Sequence, residues 1–172
     1  VNQSLSELKQ YGQMSDTDKV RLQAELRFMR AFLYFDLVKR YKQVILYDED
    51  LTKIKKDMPL NTEDECWNFI EADLRYAAAN LPARETANGR LNKGMAWAFM
   101  TRAMLYAERY TKAQASVEAI KESGLYGYID NYSAIFKDLN NKEVIWGYGY
   151  AAGVLTHSFD QKYSQPGDIC TN

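Results

Sequence analysis

Apolar residues recur at helical spacing through the first 124 positions of this chain and change character beyond them. The widest apolar stretch is Glu25 to Leu46, ELRFMRAFLYFDLVKRYKQVIL. Leu22, Leu26, Met29, Leu33 and Leu37 form one stripe at steps of four and three residues. Ala24, Phe28, Ala31, Phe32, Phe35 and Val38 fill the flank beside it. An apolar surface that wide predicts a long helix buried on several sides. Glu25, Arg27 and Arg30 lie within it and are expected to be paired or to snorkel, because a charge among apolar neighbours otherwise stays costly. Asp36 and Arg40 make a favourable acid-first pair one turn apart.

The remaining elements carry their own start and stop signals. Val1 to Tyr11 reads as the last turns of a helix with Leu5 and Leu8 inward, closed by Gly12. Ser15 or Asp16 caps the central helix, which is expected to reach about Tyr41. Val44 to Tyr47 is a short β-branched run and reads as extended; Asp48 to Met58 reads as a surface loop. Thr62 and Glu65 fit a capping box for a helix whose apolar face runs from Cys66 and Trp67 to Leu81, where Leu81-Pro82 ends it. Asn92 opens a further helix that stops near Arg109-Tyr110. Thr111 with Gln114 fits a second capping box, and Gly124 closes the helix that follows. Leu91 to Gly124 is therefore an αα-hairpin of about 34 residues, the period of a tetratricopeptide unit.

After Gly124 the period switches. Leu125 to Tyr132 is aromatic and irregular, Asn131 is placed to cap a short turn, and Asn140-Asn141 signals another. Glu143 to Tyr150, EVIWGYGY, alternates with period two and predicts a short strand. The fold class expected is all-α: tetratricopeptide-like antiparallel helix pairs forming an αα superhelix, with a short β segment and loops near the C-terminal end. Residues 1–172 make a single domain, 1–124 the helical array and 125–172 the loop and strand region.

Composition narrows the partners. A formal net charge of -1 gives no electrostatic reason to expect nucleic acid. No run of apolar residues is long enough to span a membrane. Cys66 and Cys170 lack a metal-ligand pattern; Cys66 falls on a helix face, where a buried thiol is expected. A hydrolase needs paired carboxylates, or a nucleophile with a base, in one pocket. His157 is the only histidine, and no zinc-protease, nucleophile-elbow or phosphate-loop pattern is present. Glu63, Asp64 and Glu65 are clustered acids, but they stand in a first helical turn, where negative charge complements the helix dipole. No catalytic residue, metal or cofactor is expected.

Three stretches combine into a recognisable set. They are Glu25-x-Arg27-Phe28-x-Arg30-Ala31-x-x-Tyr34-Phe35-x-Leu37-Val38-x-x-Tyr41; Ile70-x-x-Asp73-Leu74 with Ala78 and Leu81-Pro82; and Gly89-Arg90-Leu91-x-Lys93-Gly94-x-Ala96 with Arg102-Ala103-x-Leu105-Tyr106. Glu143-Val144-Ile145 follows after Phe136. Together they resemble the SusD/RagB family of nutrient-uptake lipoproteins of Bacteroidetes, over about Glu25 to His157. One departure stands out: Lys42-Gln43-Val44-Ile45 occupies the place where the family usually has a glycine pair and a proline. The resemblance implies tetratricopeptide-like helix pairs and a non-enzymatic, outer-membrane lipoprotein facing outward from the cell. It implies capture of oligosaccharide, in some members peptide, and delivery to a SusC-like TonB-dependent transporter. It also implies a longer polypeptide, with membrane association through a lipid anchor not present in this chain.

Aromatic rings suit the apolar faces of sugars, with neighbouring polar groups for the hydroxyls. The chain has 13 Tyr, 3 Trp and 7 Phe, and those outside regular helices are the candidates. Trp146, Tyr148 and Tyr150 share one face of the expected strand, with Tyr126, Tyr128 and Tyr132 in the loop before it. The competing reading is that these rings only cover the helices. A tetratricopeptide-type scaffold binding a partner peptide in a helical groove is the alternative function. Exposed aromatics between Leu125 and Tyr150 would favour glycan capture; a groove with every aromatic buried would favour the scaffold.

Overall fold

The computed structural model describes residues 1–11, 13–84, 90–133, 135 and 141–147. Among these residues it is helical: α1 (Asn2–Tyr11), α2 (Asp16–Tyr41), α3 (Glu63–Asn80), α4 (Lys93–Tyr106) and α5 (Tyr110–Glu122), with a single 3-10 turn at Leu51–Lys53 and no strand. None of these helices is long and apolar enough to cross a membrane. Gly12, Tyr148, Tyr150, His157 and Cys170 lie outside the described residues.

The caps explain why the helices begin where they do. Ser15 accepts a hydrogen bond from the Asp18 N–H at the start of α2. Thr62 and Glu65 complete the capping box of α3: the Glu65 carboxylate accepts from the Thr62 N–H at 2.8 Å, and the Thr62 hydroxyl accepts from the Glu65 N–H at 3.3 Å. Asn92 caps α4 by accepting from the Met95 N–H at 2.9 Å. The expected Thr111–Gln114 box is not formed. Helix α4 stops at Tyr106, Glu108 takes a left-handed φ of 57°, and Arg109 donates its N–H to the Met104 carbonyl. This reversal starts α5 at Tyr110 with no side-chain cap. Thr111 is thus already inside the helix, and the Gln114 amide turns to Glu118 instead.

Helices α2 and α3 run antiparallel, with Gln23 bonded to Tyr76, Arg30 to Asp73 and Phe35 against Trp67. The core lies between them and α4: Phe28, Ala31, Phe35 and Val38 meet Ile70, Leu74 and Ala77 from one side and Phe99 and Ala103 from the other. Small residues at the contacts (Ala24, Ala31, Ala77, Ala96, Ala103) let the helix axes come close, and each is fully buried. The leucine stripe corrects the expectation of all-round burial. Met29, Leu33 and Leu37 are 41%, 51% and 43% exposed, while the flank of Ala24, Phe28, Ala31, Phe35 and Val38 faces the core.

One ionic cluster ties four segments together. Arg30, 4% exposed, makes a two-pronged bond to Asp73 at 2.7 and 2.8 Å. It also bonds Glu49 at 2.9 Å and Asn2 at 3.1 Å, with Phe69 beneath its guanidinium. Arg27 adds longer contacts to Asp73 and Glu49 and lies over the Tyr76 ring, while Glu25 pairs with Arg90. Burial pushes the Asp73 carboxyl above its ordinary range, and Arg30 and Arg27 pull it back. For Glu49, burial acts upward too, but hydrogen bonds from Lys9 and Arg30 outweigh it and hold the carboxyl at about 2 against an ordinary 4.5. A carboxylate depressed by folding stabilises above its unfolded value and loses that contribution as pH falls through the folded one. The melting temperature is therefore expected to fall between pH 4.5 and about 2, and Glu49→Gln to flatten that slope. An unchanged slope in the variant, followed by circular dichroism, would remove Glu49 from the account.

The segment after α2 is extended but not a strand. Its backbone groups are satisfied from the side: Asn61 donates its N–H to the Val44 carbonyl, the Asn61 side-chain oxygen accepts from the Leu46 N–H, and the Tyr34 hydroxyl accepts from the Tyr47 N–H. A tight turn at Lys42-Gln43 leads into it. Lys42 has φ 65° and ψ -57°, and Gln43 donates its N–H to the Tyr41 carbonyl at 2.6 Å. That is a γ-turn of the strained hand, a backbone conformation that glycine adopts without penalty. Relief of strain worth about 1–3 kcal/mol exceeds the extra chain entropy of glycine and the loss of the exposed Lys42–Glu63 pair. Lys42→Gly is expected to raise stability by about 1 kcal/mol. A lower denaturation midpoint in that variant would contradict the reading.

Candidate ligand-binding site

The loop after α5 is built on three anchors. Gly124 adopts a left-handed φ of 64° and turns the chain out of the helix. Tyr126 then lies directly over Gly94 in the first turn of α4, and its hydroxyl donates to the Asn92 side-chain oxygen at 3.2 Å. A Cβ at Gly94 would collide with the Tyr126 hydroxyl and ring. Gly94→Ala is accordingly expected to cost about 1–3 kcal/mol. The cost should vanish in a Tyr126→Ala background, which a double-mutant cycle reads directly. Burial pushes the Tyr126 phenol up, with Arg84 acting the other way.

The second anchor is Arg84, whose guanidinium donates to the Leu125 and Asn141 carbonyls, both at 3.3 Å, and stands 5.8 Å from the Tyr126 ring centre. The third is the clip between the two arms of the loop. Gly127 donates its N–H to the Lys142 carbonyl at 3.1 Å, and Ile129 donates its N–H to the Glu143 carboxylate at 2.8 Å. Asn141, 8% exposed, donates to the Ile135 carbonyl and accepts from the Glu143 and Val144 N–H groups. These bonds correct the expected strand over residues 143–147; Tyr148 to Tyr150, the rest of it, lie outside the described residues. Over residues 143–147 the chain follows an asparagine-centred turn and no strand is formed, because side chains rather than a neighbouring strand take up its first backbone groups.

The clipped loop sorts its aromatic residues. Trp146 turns inward, with ring-centre distances of 5.7 Å to Phe28, 5.8 Å to Phe32 and 6.1 Å to Phe99, all edge-on. It is partly buried and closes the top of the helix core. Tyr126 is also turned inward, on α4. Tyr128 and Tyr132 point out, 98% and 74% exposed, with Asp130, Asn131 and Ser133 between and beside them also exposed. Asn131 accepts from the Ser133 N–H and hydroxyl, so this corner has a fixed local turn. Of the face expected to hold Trp146, Tyr148 and Tyr150, the first packs on the helices and the other two lie outside the described residues.

Several charged groups elsewhere hold helices together. Glu71 takes bonds from Arg75, Arg109 and Lys112; burial pushes its carboxyl up, but hydrogen bonds and charge from Lys112 and Arg75 outweigh it and draw it below the ordinary range. Asp64 pairs with Arg109, and Glu63 with Lys42 and the Trp67 indole. Cys66 is fully buried, with its thiol against the Val44 carbonyl. Among the described residues no group of His, Cys, Asp and Glu is arranged to hold a metal ion. What the loop offers chemically is flat aromatic surface beside exposed polar groups. Asn141 forms the turn that Asn140-Asn141 signals, whereas Arg84 acts through the Leu125 and Asn141 carbonyls, distant in sequence, which no local pattern reveals.

Comparison with known proteins gives a consistent result. Residues 1–105 match the model of a family described as SusD-like, starch-binding associating with outer membrane. A SusD-like protein of Bacteroides ovatus is 28% identical over 148 residues, which is 78% of this chain and 27% of that protein. The crystal structure of a SusD-like protein from Bacteroides fragilis superposes with a TM-score of 0.75 at 31% identity, over 87% of this chain and 32% of that one. A laminarin-binding SusD-like protein superposes with a TM-score of 0.69 at 25% identity, over 83% of this chain and 33% of that one. The chain thus spans about a third or less of the length of each of these relatives.

Proposed function

This chain belongs to the SusD-like family, and on that premise we propose that it forms part of a protein that captures oligosaccharide at the outer surface of the outer membrane, without turning it over. The observation that carries the reading is the pair of outward tyrosines, Tyr128 and Tyr132, on a loop pinned by Arg84, Asn141 and Tyr126 to the helix array. Exposed rings on a rigid support offer stacking area at little cost in ordering, and adjacent amide and hydroxyl groups serve the sugar hydroxyls. In this reading Tyr128 and Tyr132 stack on the ligand, Tyr148 and Tyr150 add further contacts, and Trp146 ties the loop to the helices beneath. A laminarin-binding relative supports a glycan as cargo ahead of a peptide. Exposure of these rings also favours capture over the peptide-groove scaffold.

The reading extends to delivery. The captured ligand passes to a SusC-like TonB-dependent transporter, and the helix pairs α2–α3 and α4–α5 follow tetratricopeptide-like packing that presents the loop. Calorimetric titration of the full-length protein against laminari-oligosaccharides, other oligosaccharides and short peptides tests the core of this. Saturable sugar binding with unchanged ligand on chromatography is expected. Binding of peptides alone, or release of shorter sugars, would overturn it.

A further inference from the structure

The corner that carries the two outward tyrosines has a polar chemistry of its own. Residues 128–133 read YIDNYS, and Asp130 is the one charged residue among them. It lies two residues from each ring-bearing position, so its Cα is within about 7 Å of theirs. Asp130 is exposed, and its carboxylate has no hydrogen-bond or ion-pair partner among the described residues. Asn131 beside it is also exposed, but half of its side chain is committed. Its oxygen accepts from the Ser133 N–H at 3.1 Å and from the Ser133 hydroxyl at 2.9 Å. A backbone N–H can only donate, so the oxygen is fixed on that side and the amide NH2 is left for a ligand. The corner thus presents an acceptor-only group and a donor-only group on adjacent residues, between two exposed rings.

That pairing is complementary to an uncharged sugar. Each hydroxyl of a pyranose both donates and accepts. One can donate to the Asp130 carboxylate while its neighbour accepts from the Asn131 NH2 and the sugar ring stacks on tyrosine. A carboxylate or sulfate ester on the sugar brings acceptors only. It has nothing to donate to Asp130 and sets like charge against it. Bound at this corner it lies inside the screening length of about 8 Å at physiological salt, so the repulsion is felt. Other charges of the described loop do not reverse the sign. The Glu143 carboxylate accepts from the Ile129 N–H at 2.8 Å, which puts a second negative group next to Tyr128. Arg84 is turned to the Leu125 and Asn141 carbonyls, and Lys142 stands on the other arm, where its carbonyl takes the Gly127 N–H. We infer that Asp130 and Asn131 set the specificity of this loop: it takes a neutral glycan by a pair of neighbouring hydroxyls and rejects uronate-bearing and sulfated ones. This selectivity rests on glycan capture at the same rings, proposed above, and names the class of glycan captured.

The test is titration of the full-length protein against a panel of immobilised oligosaccharides. Neutral glucans, mannans, galactans and xylans stand beside uronate-bearing and sulfated chains. Wild type, Asp130→Asn and Tyr128→Ala are compared after their melting curves have been matched. The glycans bound by wild type are expected to be uncharged. Asp130→Asn keeps the size of the side chain and removes its charge. It is expected to weaken those glycans about tenfold, the loss of one charge-assisted hydrogen bond, and to narrow their advantage over acidic ones. A residue with a merely structural role would move the melting curve and leave the charge preference where it was. An acidic glycan as the tightest ligand of wild type would overturn the proposal. Unchanged affinity in Asp130→Asn, where Tyr128→Ala loses binding, would overturn it too and leave capture by the loop standing. No glycan bound, or no effect of either variant, would bring down capture by this loop and the selectivity with it. Both residues are exposed, so both variants are expected to fold as wild type does.

Discussion

Replacing Arg30 with alanine is expected to lower the free energy of unfolding by about 3–5 kcal/mol. The residue is 4% exposed and its partner Asp73 is 2% exposed, so the pair is shut away from water. Removing the guanidinium strands a buried carboxylate with, among the described residues, only Arg27 at 3.7 Å for compensation. The same change removes one bond from Glu49, which keeps Lys9 and Arg27, and one from Asn2, and so weakens the hold of α2 on α1 and on the segment after α2. For a chain of this size about 1 kcal/mol corresponds to roughly 2–4 °C, so the melting temperature should drop by roughly 6–20 °C. Substituting both partners by apolar residues, Arg30→Met with Asp73→Leu, should recover much of that, because the loss in the single variant comes from the unpaired charge. Denaturant unfolding measures both. A single-variant loss below about 1 kcal/mol would show that the pair behaves as an exposed one.

The second large effect separates two residues of the same loop. Trp146→Ala is expected to cost about 2–4 kcal/mol, since the ring is only partly buried but makes three edge-on aromatic contacts. Tyr128→Ala is expected to change stability by less than about 0.5 kcal/mol, because its side chain is 98% exposed. In ligand binding the order reverses at the level of direct contact. Tyr128→Ala weakens binding with the fold intact, while Trp146→Ala weakens it only as the loop loosens. A stable Trp146→Ala protein with lost binding would return that ring to the ligand face where its alternation with Tyr148 and Tyr150 first put it.

Much of the helical scaffold was legible in the residues themselves. Ser15, the Thr62–Glu65 pair, Asn92 and Gly124 each perform the local bond or backbone turn that their type and position announce. Arg30 advertised a buried partner by lying within the most apolar helix, and Asp73 supplies it. The leucine stripe misled because periodicity shows that a face is apolar, not which neighbour covers it. Here the close approach of α2 to α3, with Phe99 of α4 against Phe28, selects the face with Ala24, Ala31 and Phe28, and the bulkier leucines are left outside. The alternation that begins at Glu143 misled over residues 143–147 for a related reason. A strand needs a neighbour for its backbone groups, and Asn141 meets the first of these groups instead. The tyrosines were legible as candidates, but their sorting was not. It depends on Gly94 making room for Tyr126 and on Arg84 reaching across the chain to two carbonyls.

The central claim is that rigidly held, outward-facing tyrosines capture a glycan. Its most direct test is the calorimetric affinity of the full-length protein and its Tyr128→Ala variant for one laminari-oligosaccharide, taken at matched melting temperature. Loss of one stacking ring worth about 1–1.5 kcal/mol predicts an affinity roughly 5- to 13-fold weaker in the variant, with the same stoichiometry. Equal affinities in two equally stable proteins would contradict the account and move the site away from this loop.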